Sequence, residues 1–235
     1  MTKTTGLLLL FSFGLGAADF WQKPYLEWSD KDVAKMMTNS PWAKSASVSM
    51  GGPGGGAPPP MPPGGGGGFG GGGGPQGGGG SEFGPGAQGS APPSIDVVAR
   101  WQSALPMRQA FVRLKFGAEA DKSAEAAKVL EPRERPYEIV LSGPMGMFLG
   151  GKPGDFAKAL SEASFLSSPR TGAIKAVQIE VGKPGRTMDV LFAFPRSMPF
   201  TVEDKEVEFT TKLGTSTLKY KFKLKDMVVN AKLEM

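Results

Sequence analysis

The sequence predicts an α+β fold: helices followed by an antiparallel β-meander, preceded by a short N-terminal helix and a disordered Gly/Pro linker. Three observations carry this. Between 105 and 166 apolar residues recur at helical spacing, and from Ile174 onward they alternate with polar ones at period two. Strands that gather after the helices, instead of alternating with them, favour an antiparallel sheet over a parallel one. Between residues 51 and 90, 22 of the 35 glycines and eight prolines leave Glu82 as the one charge. That stretch has too little apolar surface to offset the entropy of ordering glycine.

Taken in order, Lys3, the apolar run Gly6–Leu15 and the small residues Gly16 and Ala18 predict a secretory signal over 1–18, cleaved after Ala18. The run is shorter than the roughly 20 residues that span a bilayer, so no transmembrane segment is expected in the mature chain. Residues 19–50 form an aromatic-rich segment with three of the four tryptophans. Ser29 suits a helix N-cap, Asp30 and Asp32 suit the positive end of the dipole, and Val33, Met36 and Met37 share a face. Pro41 ends this helix. A helix this short is marginal in water alone, so the segment must dock, either on its own chain or on a partner.

Residues 51–94 read as a linker with an end-to-end reach of roughly 35 Å, and 95–235 as one α+β domain. Ile95–Trp101 alternates as a strand. Leu105–Phe116 reads as a helix with Ser103 near its start and Gly117 as its stop, Ser123–Leu130 as a second helix closed by Pro132, and Tyr137–Leu141 as a strand. Asp155–Leu166 reads as a third helix bounded by Pro169. Strands Ile174–Val181 and Thr187–Phe194 are joined by Gly182-Lys183-Pro184-Gly185-Arg186, which suits a type II turn with Gly185 at positive φ. Lys205–Leu213 and Thr217–Val229 pair across Gly214.

The chain contains neither Cys nor His. Disulfides are therefore excluded, as are nearly all protein-ligated zinc, copper and iron sites and every mechanism with an imidazole base. No cofactor and no metal site is expected. The net charge of +5 resides in residues 91–235, with 22 basic and 17 acidic side chains. This favours loose attraction to anionic surfaces.

Two groups of residues stand out as candidate sites. The first is the docking set Trp21, Tyr25, Trp28, Val33, Met36, Met37 and Trp42. The second is the basic strand face Lys219, Lys221, Lys223 and Lys225, which could meet an anionic polymer or keep an edge strand soluble. Glu203, Asp204, Glu206 and Glu208 are placed to pair with those lysines. Gly146–Lys152 imitates a phosphate-binding loop, but Pro153 stands where Ser or Thr should hold Mg²⁺, so it reads as a loop leading into a helix.

Trp28-Ser29-Asp30-Lys31-Asp32-Val33 through Ser40-Pro41-Trp42-Ala43, Arg100–Pro106, Asp204–Phe209 and Lys223–Met227 resemble a group of uncharacterised exported proteins of acidobacterial type. The resemblance implies export and the three-part layout, and it transfers no activity. The expectation is a periplasmic or extracellular, non-enzymatic binding or structural protein of the envelope. Its partner would be a protein, an envelope component or an anionic polymer, and not nucleic acid. The alternatives are an enzyme on anionic polymers using carboxylates only, and self-assembly through the Trp-rich arm.

Overall fold

A computed structural model describes residues 19–49, 94–132, 134–149 and 153–235. The signal-like residues 1–18 and most of the Gly/Pro stretch lie outside the described residues. After two 3-10 turns at Phe20–Gln22 and Tyr25–Glu27, helix α1 spans Asp30–Thr38. Ser29 caps it as expected: its hydroxyl accepts from the Asp32 amide at 3.2 Å, and the Asp32 carboxylate accepts from the Ser29 amide at 3.1 Å. α1 buries Val33 and Met36.

The chain then forms β1, Ala43–Ser49, which pairs antiparallel with β2, Ser94–Trp101, from Ala43↔Arg100 to Ser49↔Ser94. The expected linker therefore starts and ends on neighbouring residues of one hairpin, and its last expected residue, Ser94, is already strand. β1 was not expected. Lys44-Ser45-Ala46-Ser47 is poor in strand-forming residues, and the partner strand supplies what local propensity lacks.

Helix α2, Leu105–Phe116, has the expected limits, with Gly117 at φ +63 as its stop. Ser103 does not cap it. Its hydroxyl accepts from the Glu138 amide at 3.1 Å, and Ala104 occupies the cap position. Helix α3, Ala124–Leu130, is capped by Ser123. Strand β3 covers Tyr137–Gly143 and helix α4 Pro153–Ala163. The third helix thus ends earlier than expected, because Phe165–Ser168 forms β4 against β8, Glu206–Leu213. Tertiary pairing of Leu166 with Phe209 overrides helical spacing there.

The expected strand Ile174–Val181 is two strands in two sheets: β5, Gly172–Lys175, and β6, Gln178–Val181. At the corner the Ala176 amide donates to the Ser164 carbonyl, just before β4, and the Val177 amide to the Ala193 carbonyl of β7 in the other sheet. Strand β7 is Met188–Phe194. Its hairpin with β6 closes through the Gly182 amide to the Asp189 carbonyl at 2.8 Å, and Gly185 does not take positive φ, so the connection is not the expected type II turn. Strand β9, Ser216–Lys223, pairs with β8 across Gly214 at φ +58 and stops short of the expected Val229. A two-residue hairpin of β10, Val228–Val229, and β11, Lys232–Leu233, turns at Asn230 and Ala231.

The fold is α+β with antiparallel sheets, ordered β1-β2-β3-β7-β6 and β5-β4-β8-β9. The early strands alternate with helices before the all-strand run from β4. The two sheets face each other over an aromatic core, with Phe192 at 5.2 Å from Phe209 and Trp101 at 5.3 Å from Phe222, edge to face. Trp28, Val33, Met36 and Trp42 belong to the same core cluster.

One buried polar cluster holds the loop before β8. The buried Asp204 carboxylate accepts from Arg170 Nη2 at 2.7 Å, Ser168 Oγ at 2.5 Å and the Thr201 amide at 2.8 Å. Burial alone would raise its pKa, but Arg170, Ser168 and Thr201 outweigh it and hold the carboxyl well below the usual range. A depressed folded-state pKa contributes stability that is complete above about pH 4 and is lost as the pH falls through the folded value. Asp204→Asn should therefore cost about 2 kcal/mol near neutrality, from donors left buried and poorly paired. Thermal melts from pH 6 to pH 2 should show the parent losing this advantage over the variant as the medium acidifies.

Candidate functional site

The outer face of the five-stranded sheet is only partly covered. α1 packs against β1 and β2, and α2 packs on α1, leaving a groove of about 610 Å³ beside them. The register explains its lining. Arg100, Val140, Leu191 and Glu180 are successive partners across β2, β3, β7 and β6, and Ser142 faces Asp189 in the next row. Helical residues Met37, Phe111 and Leu114 complete the apolar walls. Leu114 is 68% exposed and Phe111 36%. Gly182 is required at the rim, since a Cβ there would stand 2.7 Å from the Asp189 carbonyl.

Polar groups converge on the floor. Arg100 Nη2 donates to Ser142 Oγ and lies 3.4 Å from Asp189 Oδ1, and Ser142 donates to the same carboxylate oxygen. The Arg100 side chain is only 14% exposed. Burial pulls its pKa below the ordinary arginine value, and Asp189 pushes partly back. Its Nε is buried without a hydrogen-bond partner, a donor that calls for an explanation. Asp189 is occupied by two donors, and Ser142 has a carboxylate and a guanidinium as neighbours, neither of which is an amine or imidazole base. The arrangement orients hydrogen bonds at the base of an apolar trough.

The docking residues named from sequence are placed against the chain's own domain. Trp28, Val33, Met36 and Trp42 are buried, while Trp21, Tyr25 and Met37 are partly buried against the core. The Trp42 indole donates to the Glu234 carbonyl at 2.7 Å, and Arg113 Nη2 donates to the Trp28 carbonyl at 2.9 Å. Of the two docking modes left open, the structure has the segment docked in cis, as a strand and helix of the fold and not as an arm lying apart from it. Met37 alone reaches the groove.

The basic face is partly neutralised. Lys219 pairs with Glu208 and Lys221 with Glu206, each at 3.1 Å, a diagonal version of the expected pairing. Glu206 holds the Lys221 ammonium above its ordinary pKa. Lys223 is exposed at the end of β9, and Lys225 lies past the strand in the turn Leu224–Asp226. Asp204 does not join this row because it is committed to Arg170, on the other side of its loop. Of the loop that imitates a phosphate site, Gly150, Gly151 and Lys152 lie outside the described residues.

Sequence reasoning missed Arg100, Ser142, Asp189, Phe111 and Leu114. Each polar member sits at an outward position of a different strand, and only the register brings the three together. A comparison with protein-family models, curated proteins and solved structures found no match to this chain.

Proposed function

We propose that the protein is an exported, non-enzymatic binding protein of the envelope, with the groove beside α2 as its binding site. The ligand is apolar along most of its length and presents a hydrogen-bonding end, of carboxylate or similar chemistry, to Arg100. The observation that carries this reading is the combination of exposed Phe111 and Leu114 with a desolvated guanidinium at the floor. Ligand sites are typically apolar clefts of about 300–1,000 Å³ with a few convergent polar groups. A chain without His or Cys, whose groove aspartate is already engaged, has little to offer acid–base chemistry. Export rests on the signal-like N-terminus.

Titration with a long-chain fatty acid and with the alcohol of equal length tests the site. Saturable binding is expected, tighter for the acid. Leu114→Glu should weaken both by roughly tenfold, the equivalent of about 1.5 kcal/mol of lost apolar contact, without lowering thermal stability, because Leu114 is exposed. Unsaturable uptake, or equal binding by Leu114→Glu, would contradict the assignment.

A further inference from the structure

We propose a second ligand site, for an oxyanion of the phosphate type, centred on Arg135 and Arg196 and distinct from the groove. Two adjoining hollows of about 450 and 460 Å³ share three lining residues, Glu134, Arg135 and Arg196. Arg108 and the ion pair Lys232–Glu234, at 3.0 Å, line the first hollow as well. That pair cancels internally, and Glu134 and Met235 lie on the same lining.

Among the described residues no carboxylate side chain lies within ion-pair distance of Arg135 or Arg196. The Arg196 guanidinium lies 4.2 Å over the ring of buried Tyr137, and its Nη2 donates to a main-chain oxygen of Met235. Arg135 is half-buried, with Nη2 at 3.5 Å from the Val129 carbonyl and Nε buried without a partner. Arg108 Nη1 donates to the same Val129 carbonyl at 2.8 Å, which adds fixed positive charge behind the pair.

Two oriented guanidiniums on a shared hollow match the fork geometry by which arginine binds phosphate and carboxylate oxygens. Stacking on Tyr137 removes part of the ordering cost for Arg196. The two guanidiniums together can meet more than one oxygen of a phosphate. The chemistry is shared by free phosphate and by a phospholipid headgroup, and the hollow is open enough for either.

The test uses the intact chain, titrated with inorganic phosphate and followed by NMR of the arginine Nε–H groups and by calorimetry. Vesicles of phosphatidylglycerol and of phosphatidylcholine form a second arm. Saturable phosphate binding with shifts at Arg135 and Arg196 is expected. Arg135→Gln should weaken it at least tenfold, and the double variant with Arg196→Gln should abolish it. Arg135→Lys, which keeps the charge but loses the fork, should fall between parent and Gln variant, and Lys221→Gln should bind like the parent. Binding to phosphatidylglycerol vesicles that needs the same arginines would identify a headgroup as the source, and phosphate binding alone a free ion. Phosphate binding that never saturates, or that is equal in the double variant and Lys221→Gln, would overturn the proposal. Thermal melts of each variant show whether a loss reflects the site or the fold.

Discussion

Replacing residues 50–93 by Asn-Gly should give a folded protein that is more stable than the parent by about 2.5–3 kcal/mol. Ser49 and Ser94 face each other at the end of a ladder that runs unbroken from Ala43↔Arg100, so a two-residue turn can close it directly. Loop-closure cost grows by about 0.6 kcal/mol for each doubling of length, and reducing 44 residues to two removes between four and five doublings. Asn-Gly supplies the positive φ that a tight hairpin needs. In a domain of this size the gain corresponds to a melting temperature higher by roughly 5–10 °C, measured by calorimetry. Were residues 19–49 a separately placed arm, the short link would pull it from its seat, and the variant would be less stable than the parent.

Trp42→Ala should be the most damaging single substitution in the N-terminal segment, costing about 3–5 kcal/mol. The indole is fully buried, meets Trp21 edge to face at 5.8 Å, and donates to the Glu234 carbonyl near the far end of the chain. The Trp42 carbonyl also accepts from the Trp101 amide at 2.8 Å, so the residue ties β1, β2 and the C-terminal hairpin together. Truncation leaves a cavity and an unpaired buried carbonyl. Urea unfolding should show the midpoint lowered with one transition retained, and fluorescence and circular dichroism should coincide. Trp21→Ala, at a partly buried position, should cost much less.

What was legible in the sequence was whatever local chemistry specifies. The Ser29 cap of α1, the limits of α2 with its Gly117 stop, the Gly214 hairpin and the β8–β9 pairing all follow from side chains within a few residues of the feature. The misreadings share a different cause. β1 is Ser- and Ala-rich, yet Lys44, Ala46 and Val48 alternate with Ala43, Ser45 and Ser47, a period-two signal masked by weak strand propensity. The step from β5 to β6 is marked only by a slip of one in the apolar phase, from Ile174 and Ala176 to Val177, Ile179 and Val181, which a reading as one strand passes over. Phe165–Ser168 continued a helical spacing until β8 offered it a ladder.

The candidate site was the least legible part. Aromatic density marked Trp28 and Trp42, which turn out to serve the core, whereas Arg100, Ser142 and Asp189 are ordinary polar residues on three strands. Their convergence depends on the pairings Val98↔Ser142 and Ser142↔Asp189, which no single segment encodes.

Residues 19–49 contribute a helix and a strand to the same fold as β2 and β3. Native-state hydrogen exchange on the intact chain tests it most directly. The amides of β1 that are bonded to β2 should exchange with protection matching that of β2 and β3, because they open only when the sheet does. Rapid exchange throughout Ala43–Val48, while β3 and β7 stay protected, would mean that the segment undocks by itself and would contradict the account.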